Sequence, residues 1–235
     1  VNGDGYRDIA VGATYYWGMT GYVRGLDGDT LRVTCAACPD WSIKDTLAHH
    51  IHAQRSLVDG TFPSDAMTAI MSGDPDERAE AGGARDRWTA AGVRARSDRT
   101  VDELLDEWDQ VEHALANSEA IVLVADLTVH FDDIRETVEG PVARVGADIP
   151  YTLGRYHHFQ TIRYRAMDAP SVDLECVDMG ERLGDSGSAV VRGDSYDLVR
   201  CLVGRRSRAE ADEVLDWGDT TEETQMHFAI YGWNN

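Results

Sequence analysis

Cys38-Pro39-Asp40-Trp41-Ser42-Ile43-Lys44-Asp45-Thr46-Leu47-Ala48-His49-His50-Ile51-His52 is the stretch on which the fold turns. Ser42 followed three residues later by Asp45 has the spacing of a capping box, and an acid in the first turn suits the positive end of a helix dipole. From there Ile43, Leu47 and Ile51, then Leu57 or Val58, recur at helical intervals. They predict one buried stripe that runs to a stop at Asp59-Gly60. Three histidines, His49, His50 and His52, crowd the same helix among apolar residues. Solvated faces are seldom written this way, so an imidazole aimed inward is expected.

A second helix, predicted over residues 119–137 from Ile121, Val122, Val124, Leu127 and Ile134, answers the first. Asp126 and His130 stand four apart on it and therefore share a face. Alone, an acid and a histidine so spaced are usually a weak surface contact. Joined by His49, they make a three-ligand set for a divalent ion with coordination positions left open. That is the arrangement of a catalytic rather than a closed structural site.

Further elements follow outward from these two. Residues 8–26 carry apolar positions at mixed spacing and read as a helix, although each interior glycine costs about 1 kcal/mol against alanine. Asp27-Gly28-Asp29 marks a turn, after which the chain is expected to run loosely to Trp41. Gly, Asp, Pro and Ala dominate residues 60–83, which predicts a loop with short helical pieces, and residues 85–95 read as helix. Thr100 with Glu103 is a second capping box, opening an amphipathic helix through Leu104, Leu105, Trp108, Val111, His113 and Leu115. Another helix is expected from about Pro150 to Met167. Beyond it, residues 171–178 and 188–192 alternate as strands do, joined by a loose hairpin connection over residues 180–187. Residues 194–202 return to helix, ended by Gly204, and Ser207 with Glu210 caps a last one before Trp217-Gly218-Asp219. The expected fold class is mainly α: a helical bundle over residues 1–168 and a small α/β domain over residues 169–235.

Charge narrows the partners. Of 235 residues, 42 are Asp or Glu and 22 are Lys or Arg, a formal net charge of −20. Such a field repels phosphate backbones and anionic membranes, so no nucleic-acid or membrane partner is expected. No run approaches the roughly 18 apolar residues of a membrane span. Cys35-Ala-Ala-Cys38 lacks the β-α-β context of a redox motif and the second cysteine pair of a zinc site. Its reading is two small residues before a helix, in the reducing cytoplasm.

The motifs in order resemble a known family. The stretch from Cys38 to His49 is similar to the C-P-x-W-[ST]-v-x-D-x-l-a-H signature of the mycothiol-dependent maleylpyruvate isomerase family, part of the DinB-like thiol transferase superfamily. Three further stretches match. Residues 87–93 with 104–108 resemble the family's central segment. Asp126-x-x-x-His130-x-x-Asp133 resembles its E-x-x-x-H-x-x-D helix. Residues 202–208, with Leu215-Asp216-Trp217 and Tyr231-Gly232, resemble its C-terminal G-R-R-S region. The resemblance implies a DinB-like four-helix bundle whose metal ligands are His49, Asp126 and His130, Asp126 standing where the family usually has the longer Glu. It implies zinc foremost, with nickel or iron as alternatives, and mycothiol as thiol cosubstrate. The implied activity is S-transfer to, or cis–trans isomerisation of, an electrophilic small molecule.

Arg205 and Arg206 are candidates for pinning the carboxylate of an anionic substrate, because a guanidinium binds a carboxylate bidentately. A surface ion pair or a helix cap is the plainer alternative for both. His52 is a candidate alternative ligand or proton shuttle; His50, His157 and His158 are weaker candidates, and Cys38 is expected to be structural. A non-catalytic metal- or small-molecule-binding member of the fold is the alternative function, acting as monomer or homodimer. One competing signal lies at the start: Asn2, Asp4 and Asp8, interleaved with glycines, resemble a calcium-binding loop, although the motif occurs once and a propeller needs it repeated.

Overall fold

The computed structural model describes residues 18–115, 122–140, 148–184 and 189–234. Among these it is mainly helical. The chain divides into two compact units, Val1–Ala66 with Gly82–Val142, and Met67–Ala81 with Ala143–Asn235.

In the first unit, the described part of α1 covers residues 18–24. The remainder of the helix expected over 8–26 lies outside the described residues to residue 17, as does the Asn2–Asp8 loop. A short 3-10 turn, Thr30–Arg32, follows, its start held by Asp27 Oδ1, which accepts from Thr30 N–H at 2.8 Å. The segment expected to run loosely to Trp41 is instead a strand pair. β1 (Thr34–Cys35) and β2 (Cys38–Ser42) run antiparallel with Cys35 opposite Cys38. The turn is too short for alternation to reveal, and the buried Cys35 pins it: its thiol lies 3.3 Å from Thr46 Oγ1.

Ser42 closes β2 and opens α2 (Ile43–Val58) in one residue, because an N-cap needs the extended backbone that a strand end already has. The capping box forms on both sides: Asp45 N–H donates to Ser42 Oγ at 3.1 Å and Ser42 N–H to Asp45 Oδ2 at 3.0 Å. Ile43, Leu47 and Ile51 are buried as expected, but the stripe ends there, Val58 being exposed.

The stretch over 60–83 is more ordered than its composition suggested. α3 (Ser64–Ser72) and α4 (Pro75–Arg94) occupy most of it, and α4 runs on through the helix expected over 85–95. The start of α4 explains this. Asp74 Oδ1 accepts from the backbone N–H groups of Asp76 and Glu77, and Glu77 returns a bond to Asp74 N–H, all at 2.9 Å. Pro75 sits where its missing N–H costs nothing. Such a cap offsets part of the cost of the three interior glycines, Gly82, Gly83 and Gly92.

α5 (Val101–Leu115) starts at the expected Thr100–Glu103 box, with Thr100 N–H donating to Glu103 Oε2 at 2.7 Å. α6 (Val122–Glu139) completes the unit. α2 packs on α5 and α6. The core between them joins Met19 and Val23 of α1, Ile43, Leu47 and Ile51 of α2, Leu104, Leu105 and Trp108 of α5, and Leu127, Phe131 and Ile134 of α6.

The second unit holds α7 (Asp148–Ala166) and a three-stranded sheet of β3 (Asp173–Cys176), β4 (Glu181–Leu183) and β5 (Val190–Gly193), in the order β4-β3-β5. β4 occupies part of the predicted loose connection. The expected hairpin between residues 171–178 and 188–192 is therefore not formed: β4 is the antiparallel neighbour of β3, and β5 returns to pair with β3 in parallel. Three residues are too few to betray a strand by alternation, and an ion pair secures it, Arg182 Nη2 lying 2.7 Å from the buried Asp173. α8 (Ser195–Leu202) packs on α7 and is stopped at Gly204, which has φ +71°. α9 (Arg208–Val214) begins at the expected Ser207–Glu210 capping box, and α10 (Glu222–Met226) follows. Among the described residues no helix is long and apolar enough to cross a membrane.

Candidate metal centre

Three donors converge in the first unit. One ligand atom from each of His49, Asp126 and His130 lies within 4.8 Å of the others. Helix periodicity on α6 supplies two of them, with His130 Nε2 at 3.7 Å from Asp126 Oδ1. The packing of α2 on α6 supplies the third: the rings of His49 and His130 meet edge to face, 4.9 Å between centroids. His49 is 8% exposed. Its Nδ1 is buried with no hydrogen-bond partner among the described residues. Leaving such a nitrogen unbonded costs about 1–3 kcal/mol, and a ligand-holding role for the ring accounts for it.

The charge states suit a cation. Burial, reinforced by the neighbouring His130, holds the His49 pKa well below its ordinary value, so at neutral pH its lone pairs are not blocked by a second proton. Burial lowers those of His50 and His52 as well. For Asp126 burial pushes the other way, but the facing His130 and the contact with His50 outweigh it. The Asp126 carboxyl therefore sits well below the usual carboxylate range and is ionised. Two imidazoles and one carboxylate are a donor set that zinc accepts, and nickel and iron accept it too. The residues present fit a divalent ion.

Around this set stands a layer of buried polar groups. His130 Nδ1 is 3.1 Å from Asp133 Oδ2, and the Cys38 thiol approaches the same oxygen at 3.6 Å. Cys38, His130 and Asp133 thus form a second convergent group that shares His130 with the first. On the other side His50 Nδ1 lies 3.5 Å from Asp126 Oδ2, and His50 Nε2 lies 2.9 Å from Gln54 Nε2.

Aromatic rings frame the site. Trp41, at the end of β2, lies 4.8 Å from the His49 ring and 6.4 Å from that of His130. Trp88 of α4 meets His49 edge-on at 6.4 Å and packs against His52 at 4.5 Å, with Phe62 behind it at 5.6 Å. Gly92 makes room for the His52 ring, since a Cβ there would lie only 2.0 Å from His52 Cδ2.

His52 is outside both convergent groups and is held against Trp88 and Gly92. Arg205 and Arg206 belong to the second unit, in the turn between α8 and α9. Arg205 N–H donates to Arg200 O at 2.8 Å, and Arg206 Nη2 stands 4.0 Å from Asp197. His157 Nε2 contacts Val172 O at 2.9 Å, and His158 packs beside Phe159. Trp88, Asp133 and Gln54 are site residues that the reading of ligands alone passed over. Asp133 had a signal, since it follows His130 at helical i+3 spacing. Gln54 had one too, following His50 at i+4 on α2, whereas Trp88 depends on helix packing.

The chain matches no protein-family model and no curated protein sequence. Among solved structures it is similar to a mycothiol-dependent maleylpyruvate isomerase, with a TM-score of 0.52 and 16% identity over 92% of this chain and 95% of that one. It is equally similar to a histidine-to-alanine mutant of such an isomerase, with a TM-score of 0.52, 15% identity and the same coverage. At these identities the likeness is one of fold. It bears out the expected fold class, mainly α with small sheets.

Proposed function

We propose that this chain is a metal-dependent enzyme that uses a low-molecular-weight thiol, mycothiol, for S-transfer to, or cis–trans isomerisation of, a small anionic electrophile of the maleylpyruvate kind. One observation carries the reading: His49, Asp126 and His130, from two separate helices, bring donor atoms within 4.8 Å of one another. The fold shared with a mycothiol-dependent isomerase supports the choice of thiol and substrate.

In this reading His49, Asp126 and His130 hold the ion, zinc by preference. When bound, a divalent ion lowers the pKa of a thiol and favours the nucleophilic thiolate at neutral pH. The protein's own part is to keep His49 unprotonated by burial, to keep Asp126 ionised, and to shield the centre with Trp41 and Trp88. The sulfur adds to the electrophilic carbon of the substrate as the C=C π bond opens and its electron pair passes to the conjugated carbonyl as an enolate. A proton then quenches the enolate and the sulfur stays, which is transfer, or after rotation about the resulting single bond the enolate re-forms the double bond and expels the thiolate, which is isomerisation. Arg205 and Arg206 are assigned the substrate carboxylate on guanidinium chemistry, and His52 a proton-relay role. A cytoplasmic location, where thiols are kept reduced, belongs to the same proposal.

The test is turnover. The protein loaded with zinc, nickel or iron is incubated with mycothiol and maleylpyruvate, or with a generic electrophile, and product is followed by NMR beside a His49→Ala variant. Product formed by the parent and lost in the variant supports the reading. A metal-loaded protein that turns over neither substrate leaves a binding protein on the same fold.

A further inference from the structure

We propose that Asp133 and His50 are positioning residues for the metal centre, Asp133 setting the ring of His130 and His50, steadied by Gln54, setting the carboxylate of Asp126. The proposal rests on reading His49, Asp126 and His130 as ligands, and it concerns what makes two of those side chains hold still. An imidazole offers two nitrogens, and the proton on one decides which lone pair is free. Asp133 is fully buried, and its Oδ2 lies 3.1 Å from His130 Nδ1. A carboxylate only accepts, so the proton sits on Nδ1 and the lone pair on Nε2, the nitrogen 3.7 Å from Asp126 Oδ1. Helix spacing builds the device into α6, because Asp126, His130 and Asp133 follow one another at i, i+4 and i+7 on one face.

Asp126 is divided in the same way. His50 is fully buried and its Nε2 faces the Gln54 amide nitrogen at 2.9 Å. The amide donates, so His50 Nε2 accepts and its proton is on Nδ1, a buried nitrogen with no hydrogen-bond partner among the described residues that stands 3.5 Å from Asp126 Oδ2. Each α6 ligand therefore spends one atom on its support and turns the other toward the centre: Oδ2 and Oδ1 for Asp126, Nδ1 and Nε2 for His130. Such outer partners fix ligand orientation and raise ligand basicity, and their loss typically lowers metal affinity about 10–100-fold. A short aspartate carboxylate has little reach to correct a misplacement, which makes the His50 contact the more consequential for Asp126.

The test uses the full chain with Asp133→Ala, Asp133→Asn, His50→Leu, His50→Gln and, as a ligand control, His49→Ala. Zinc affinity is measured by competition with a chromophoric chelator, and the cobalt-substituted protein is compared by visible absorption. Asp133→Ala and His50→Leu are expected to bind zinc about 10–100-fold more weakly with shifted cobalt bands, and Asp133→Asn, which keeps one accepting oxygen, to recover part of the loss. A folding defect in the severe variants transfers the test to Asp133→Asn and His50→Gln, in which cobalt bands must still shift. Affinities within about twofold of the parent and unchanged cobalt spectra, with zinc lost only in His49→Ala, overturn the positioning proposal and leave the ligand reading intact. A parent chain that binds neither zinc nor cobalt overturns both.

Discussion

Glu107 on α5 gives the fold its most demanding test. Its carboxylate accepts from Arg96 through two bonds, Nε to Oε2 at 3.0 Å and Nη2 to Oε1 at 2.7 Å, and from Arg99 as well. Arg55 of α2 stands 3.8 Å away. The side chains of Arg96 and Glu107 are 8% and 10% exposed. Glu107→Gln removes the charge while keeping the shape, leaving a buried guanidinium without its counterion. Removing one partner of a buried pair costs about 3–5 kcal/mol. Arg99 is 45% exposed and Arg55 32%, so their shares are screened by water and the total falls near the lower end, about 3 kcal/mol. For a chain of this size that lowers Tm by roughly 10 °C.

The pH dependence has a definite sign. Burial pushes the Glu107 pKa up, but the Arg96 bonds and the charges of Arg96, Arg99 and Arg55 outweigh it, and the folded value lies below the ordinary one. The stabilisation is therefore complete above the unfolded carboxyl pKa and is lost as pH falls through the folded value. Guanidinium unfolding of parent and variant, followed by tryptophan fluorescence, is expected to show the gap at pH 7 and its closure in strong acid. A variant within about 0.5 kcal/mol of the parent at pH 7 refutes the argument that this pair is buried and matched.

Other outcomes follow from the same geometry. Gly92→Ala places a methyl 2.0 Å from His52 Cδ2; overpacking of this kind costs about 1–3 kcal/mol, and a changed near-ultraviolet signal from Trp88 is expected with it. Ser42→Ala removes the oxygen that accepts from Asp45 N–H and is expected to cost about 1 kcal/mol, measured by thermal unfolding. The thiols differ in reach. Burial pushes the Cys176 pKa up to about 11 and that of Cys201 up to about 12, so alkylation of the native protein at pH 8 is expected to modify half-buried Cys38 first, as read by peptide mass. Labelling of Cys201 ahead of Cys38 contradicts the burial assigned to α8.

What the sequence disclosed was local and periodic. The Ser42–Asp45, Thr100–Glu103 and Ser207–Glu210 boxes each start a helix where their spacing says, because a cap depends on residues within one turn. Asp126 and His130 share a face for the same reason. Less visible were features set by contacts between distant residues. β1 and β2 exist because Cys35 is buried, and β4 because Arg182 meets Asp173; neither fact is written in two or three residues. The composition of residues 60–83 misled, since Gly and Pro read as loop while the Asp74 cap with Pro75 makes them a helix start. At the centre, the ligand types could be named from spacing. The His50–Gln54 contact could be as well, having the same i, i+4 spacing on α2; the tryptophan frame and the approach of His50 to Asp126 could not, because they follow from how α2, α4 and α6 lie against one another within the first unit.

The account stands on one shared point between two helices. Metal analysis by mass spectrometry of the zinc-equilibrated and desalted chain, beside His49→Ala, Asp126→Ala and His130→Ala, tests it most directly. About one zinc per chain in the parent and well below one in each variant is the predicted result. Equal metal in all four proteins, or none in the parent, contradicts it.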